Sequence, residues 1–119
     1  MNKELLISSI RSIPDFPKEG ILFRDVTTLF KSPEAFREAV DATYELYKDK
    51  GITKVAGLES RGFVLGAALA YKLGAGFVTI RKPGKLPCDT YSEEYLKEYG
   101  TDTLEIHTDA LTSDDVVLL

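Results

Sequence analysis

An α/β fold built on a parallel sheet is predicted by three features of this 119-residue sequence. Two short apolar runs, Thr53-Lys54-Val55-Ala56-Gly57-Leu58 and Gly76-Phe77-Val78-Thr79-Ile80, have the length and β-branched content of buried strands. Each is preceded by a stretch of helical periodicity. Helix, strand, helix and strand therefore follow one another within about fifty residues, the order of a βαβ unit. The third feature is a final apolar run, Val116-Val117-Leu118-Leu119, which reads as a further buried parallel strand.

The elements follow in order. Residues 3–13 place Leu5, Leu6, Ser9, Ile10 and Ile13 at helical spacing, which predicts one short helix. Pro14 and Pro17 bracket Asp15-Phe16 in a turn or extended segment, and Ile21-Leu22-Phe23 is a short extended piece. Ser32 as N-cap and Pro33 at the first helical position open a helix, with Phe36, Ala39, Val40, Thr43, Tyr44 and Tyr47 on one face. Gly51 fits the position just past its end. A second helix runs from the Glu59-Ser60-Arg61-Gly62 turn through Phe63, Val64, Ala67, Ala68 and Tyr71 to Leu73, and Gly74 ends it. Residues 82–100 read as a looser region. Residues 101–108 alternate, with Leu104 and Ile106 on one face and Glu105 and His107 on the other, as a half-exposed antiparallel strand does.

Composition narrows the function. With 44% hydrophobic and 29% charged residues, the length suits one domain with a packed core. No apolar run approaches the ~18–20 residues that cross a bilayer, and the first residues do not form a signal peptide. The lone Cys88 excludes an internal disulfide framework and a cysteine-based zinc site, so a reduced, cytoplasmic location is expected and Cys88 itself gets no role. A net charge of −4 argues against nucleic acid as partner. The charge is uneven: Arg81, Lys82 and Lys85 form a basic island, followed between Asp89 and Asp115 by nine acids against Lys97 alone. Such a contrast points to a local anion site, with Glu93 and Glu94 as a solvated face.

In an open α/β sheet, ligands bind beyond the carboxyl ends of the parallel strands. After Leu58, the Glu59-Ser60-Arg61-Gly62 turn enters a helix N-terminus, where backbone N–H groups, the dipole and the forked Arg61 guanidinium suit a phosphate. The competing reading is an ordinary helix cap by Ser60 with Arg61 solvated. After Ile80, three cations within five residues, stiffened by Pro83 and Pro87 and bent at Gly84, suit a pyrophosphate; a plain basic turn is the alternative.

These loops belong to a longer pattern. Phe16-Pro17-Lys18-Glu19-Gly20-Ile21-Leu22-Phe23-Arg24-Asp25-Val26-Thr27, Gly57-Leu58-Glu59-Ser60-Arg61-Gly62-Phe63, Arg81-Lys82-Pro83-Gly84-Lys85-Leu86-Pro87, Glu98-Tyr99-Gly100 and Leu104-Glu105-Ile106-His107 occur in this order. Together they resemble the adenine phosphoribosyltransferases, from about Ile10 to Leu119. The resemblance implies a type I phosphoribosyltransferase fold: a parallel sheet flanked by helices, an N-terminal hood over residues 1–31, and a flexible antiparallel loop that closes the site, all within a single, incomplete domain spanning 1–119. It implies the joining of adenine to phosphoribosyl pyrophosphate, giving AMP and pyrophosphate with substrate-bound magnesium, in a homodimer. Phe23 would stack on adenine while Leu22 and Arg24 meet its edge, largely through backbone groups. Glu59, Ser60 and Arg61 would form the pyrophosphate loop, with a cis peptide between the first two, and Arg81, Lys82 and Lys85 would also bind pyrophosphate, near the dimer interface, some reaching the neighbouring subunit's site. Glu98, as proton-transfer residue, and Tyr99, as closing contact, would sit at the tip of the mobile loop. His107 is expected to be solvated, and no residue is assigned to a metal.

The family's phosphate loop, with two acids and a Thr/Gly-rich turn after a buried strand, has no counterpart before Leu119. The expectation is therefore an N-terminal part of a longer enzyme that does not catalyse alone. Two other readings stay open: a non-catalytic binding or regulatory module of the same fold, which the Glu98-Tyr99 segment disfavours, and an enzyme for a 6-oxopurine, which the Phe23-Arg24 segment disfavours.

Overall fold

A computed structural model describes residues 1–97 and 100–119, in two compact units, Met1–Leu46 and Tyr47–Leu119. In the first unit, α1 (Lys3–Ser8) is capped by Asn2, whose side chain accepts the Leu5 N–H. The predicted helix stops there. Residues beyond it form β1 (Arg11–Pro14), which pairs antiparallel with β2 (Leu22–Asp25) in the register Arg11 to Asp25 and Pro14 to Leu22. Apolar spacing misleads at this point because Ile10 and Ile13 satisfy a helical period while Ile13 also faces Phe23 across the hairpin.

Asp25 anchors the hairpin. It is buried, takes Arg11 Nε at 2.7 Å, and accepts both the N–H and the hydroxyl of Thr27 at the start of a short helix, α2 (Thr27–Phe30). The Thr27 backbone N–H, the Thr27 hydroxyl and then Arg11 hold its pKa down at about 2. Helix α3 (Pro33–Tyr47) begins as predicted, with Ser32 Oγ accepting the Ala35 N–H at 3.3 Å and Pro33 leading the helix. The first unit thus contains the expected 1–31 segment and most of α3.

The second unit is the α/β part. Its sheet has the order β4–β3–β7, with β3 (Lys54–Leu58) central, β4 (Gly76–Ile80) parallel on one side and β7 (Val117–Leu118) parallel on the other. Helix α4 (Arg61–Leu73) crosses between β3 and β4 and ends where Gly74 takes φ +72°, the left-handed conformation that glycine supplies. The close approach of α4 to the sheet depends on Gly57: a Cβ there would stand 2.7 Å from the Gly62 carbonyl oxygen and 2.8 Å from Phe77 Cζ. Asp115 docks β7 by accepting from Lys54 Nζ and Thr53 Oγ1, both at 2.8 Å.

Two expectations change here. The run 116–119 is not buried: only two of its residues pair, at one edge of the sheet, and Val117 and Leu119 are 39% and 78% exposed. The looser region 82–100 contains a strand, β5 (Thr90–Lys97), antiparallel to β6 (Gly100–His107). Its sequence shows no apolar alternation because nearly all of β5 is exposed and its order comes from the β6 backbone.

Candidate active site

In the first unit, the hairpin positions Leu22, Phe23 and Arg24. Successive residues of a strand point to opposite faces, so Leu22 and Arg24 share one face and Phe23 and Asp25 the other. Leu22 is 52% exposed and Arg24 is exposed, its guanidinium bonded to the Ser12 hydroxyl directly across the ladder. Phe23 is half-buried, with the Phe16 ring edge-on at 5.1 Å between centroids. With side chains on opposite faces, one planar ligand against Phe23 can meet Leu22 and Arg24 through their backbone groups.

In the second unit, the turn after β3 and the loop after β4 meet at the carboxyl ends of adjacent parallel strands. The peptide between Glu59 and Ser60 is cis, as the resemblance implies. Ser60 is the N-cap residue of α4 by position, yet its side chain makes no capping bond, so the ordinary-cap reading fails. Arg61 is exposed on the first residue of the helix, and Glu59 N bonds the Ile80 carbonyl at 3.0 Å, which ties the turn to the end of β4.

The Glu59 side chain gathers the basic loop. Oε1 accepts the Lys82 backbone N–H at 2.7 Å and Arg81 Nε at 3.3 Å, and Oε2 accepts Lys85 Nζ at 3.0 Å. The Lys82 amide, and after it the Lys85 hydrogen bond, hold this carboxyl below the usual glutamate range. Four of the six predicted anion-site residues, Glu59, Arg81, Lys82 and Lys85, are therefore joined by hydrogen bonds, but with divided roles. A carboxylate repels pyrophosphate, so the Glu59 side chain serves as acceptor for the cations and only its backbone is suited to face an anion. Lys82 gives Glu59 its backbone N–H and not its ammonium. Arg81 also lies over the Phe63 ring, 5.8 Å from the centroid, and that ring meets Phe77 edge-on. The cluster of Arg81, Lys82, Lys85 and Glu59 carries a formal charge of +2, fitted to a multiply charged anion.

Glu98 and Tyr99 lie outside the described residues. Among the described residues there is no group of three or more His, Cys, Asp and Glu that could hold a metal ion. No helix of the described residues is long and apolar enough to cross a membrane.

Sequence reasoning missed two residues. His107 is half-buried and not simply solvated: it borders an open cavity of about 220 Å³ with Lys54, Phe77, Thr79 and Ala110, and its Nε2 is shielded without a hydrogen-bond partner among the described residues. The reason is that β6 runs beside β4, joined through the backbone of Arg81 and Glu105, so the face that alternation marks as outward turns toward the sheet edge. Glu105, on that same face, accepts hydrogen bonds from three other residues. Nothing in the sequence sets it apart beyond its place in the Leu104-Glu105-Ile106-His107 pattern.

Comparisons with known proteins give one consistent result. The whole chain is 65% identical to the adenine phosphoribosyltransferase of Phocaeicola vulgatus and covers 68% of that protein. It is 66% identical to that of Bacteroides fragilis, covering all of this chain and 67% of the relative. Among solved structures, adenine phosphoribosyltransferase from Thermoanaerobacter pseudethanolicus superimposes with a TM-score of 0.91 at 48% identity, over 96% of this chain and 66% of that one. The enzyme from Giardia lamblia, solved in complex with 9-deazaadenine, gives a TM-score of 0.89 at 42% identity, over 94% of this chain and 62% of that one. No family model matches the chain. The chain spans about two thirds of the length of the relatives it matches.

Proposed function

Because this chain belongs to the adenine phosphoribosyltransferase family, we propose that it forms the adenine and pyrophosphate halves of an enzyme that makes AMP in purine salvage. The reaction forms a bond from adenine N9 to C1′ of phosphoribosyl pyrophosphate and breaks the bond from C1′ to the pyrophosphate oxygen. Negative charge grows on the leaving pyrophosphate as the sugar carbon becomes cationic. Preorganised donors aimed at that charge lower the barrier. Arg61, Arg81, Lys82 and Lys85, in the turn and loop after β3 and β4, are the residues we assign to it, with the backbone of Glu59 and Ser60. Phe23 is assigned to the adenine ring, and Leu22 and Arg24 to its edge. Glu98 is assigned to the proton that leaves N9, and Tyr99 to closure over the site. Magnesium, as the counter-ion carried by the substrate's pyrophosphate, a cytoplasmic location and a homodimer complete this reading and rest on family membership.

The single observation that supports the reading most is the convergence of two loops, distant in sequence, on one cationic cluster at the carboxyl ends of the parallel strands. Calorimetric titration of the chain with inorganic pyrophosphate, and with adenine against hypoxanthine, tests it. Pyrophosphate binding and a preference for adenine are expected. Equal affinity for the two bases would overturn the adenine assignment. Detection of pyrophosphate binding without any base binding would favour a regulatory module.

A further inference from the structure

The basic loop between β4 and β5 has no regular ladder of its own between Lys82 and Asp89. Its shape must therefore come from elsewhere, and two acids supply it. Glu59 holds one flank, as described above. Glu105 holds the other: Oε1 accepts the Gly84 backbone N–H at 3.2 Å at the bend of the loop. The same carboxylate reaches the hairpin, where Oε2 accepts the hydroxyls of Ser92 at 2.8 Å and Thr90 at 3.3 Å. Its backbone closes a pair of bonds with Arg81, at 3.0 and 2.7 Å, where β4 ends. One residue is thus bonded to the end of β4, to the bend of the basic loop and to the base of β5.

We propose that Glu105 is a positioning residue that couples the basic loop to the β5–β6 hairpin, a role that rests on the phosphoribosyl-transfer reading above. The three donors to its carboxylate are a backbone amide and two hydroxyls, all uncharged, so its contribution is geometric. It places Arg81 and Lys85 through the loop backbone and fixes the base of the β5–β6 hairpin. The Ser92 hydroxyl, then the Gly84 N–H, hold the Glu105 carboxyl below the usual glutamate range, so these acceptors remain ionised in mild acid.

The test is amide hydrogen exchange on the 119-residue chain, with a pyrophosphate titration beside it. In E105A, exchange at Lys82 and Gly84 and along Thr90–Lys97 is expected to accelerate together by about tenfold, while α3 and α4 keep wild-type protection. In E105Q the amide oxygen still accepts from Gly84 and its NH2 meets two hydroxyls that can accept. Protection should then return to within about threefold of wild type. Acceleration confined to one of the two segments in E105A would overturn the coupling, and E105Q behaving like E105A would overturn the geometric role. The S92A variant touches only the hairpin, yet pyrophosphate affinity should fall by about threefold or more; an unchanged affinity would also overturn the coupling. If the wild-type chain binds no pyrophosphate, the functional reading fails, and the exchange results alone then decide the role of Glu105.

Discussion

Replacing Gly57 with alanine should destabilise the second unit more than any other single methyl addition on its helix-to-sheet contact. The new Cβ would lie 2.7 Å from the Gly62 carbonyl oxygen, about 0.7 Å inside ordinary contact at 3.4 Å, and 2.8 Å from Phe77 Cζ. Its nearest obstacle is backbone in the first turn of α4, which cannot rotate away. Relief requires moving the helix start, and with it Arg61. Overpacking of this kind costs about 1–3 kcal/mol. At about 4 °C per kcal/mol for a chain of this size, the thermal midpoint should fall by about 4–12 °C. Gly66→Ala gives the internal comparison. There the Cβ meets the Phe77 ring at 2.7 Å, an obstacle made of side chain, and alanine gains about 1 kcal/mol of helix propensity. G66A should therefore lose less than half as much as G57A. Circular-dichroism melts and urea titrations of both variants measure this. A G57A midpoint within 2 °C of wild type, or G66A the weaker of the two, would refute the close-packing account.

Other expectations concern charge and capping. R61A should weaken pyrophosphate binding by about tenfold or more, since it removes charge-assisted donors worth about 1.5–3 kcal/mol, and isothermal calorimetry reads this directly. Asp25 has its pKa depressed from 3.8 to about 2, so its stabilisation is fully present above about pH 4 and is lost as pH falls through 2. An acid titration of the β1–β2 hairpin followed by NMR should show that loss, and D25N should abolish the pH dependence while lowering stability at pH 7. S32A removes the cap of α3 and should cost about 1 kcal/mol, measured by urea denaturation.

Much of this architecture was readable before any coordinates. Pro33 and Gly74 mark real helix ends because each solves a local backbone problem, a missing N–H at a first turn and a positive φ at a last one. The two parallel strands were legible as apolar runs. The 11–14 strand was not, because its side chains serve a two-residue and a helical period alike. Strand β5 escaped because it is exposed on both faces, leaving no hydrophobic imprint. At the site, residue types pointed to the anion chemistry, but their division of labour did not. That Glu59 collects cations, and that Glu105 joins three segments, depends on partners as distant in sequence as Lys85 and Arg81, which no local pattern encodes.

The two acids flanking the basic loop also bear on how fast an anion can be captured. A loop of three cations left to itself would repel its own charges and sample many shapes, and a ligand would have to order it on arrival. Here the amides of Lys82 and Gly84 are already bound within the protein. The loss of chain entropy therefore belongs to folding and not to association. Capture then becomes an encounter with a preset field, governed by ionic strength more than by loop rearrangement.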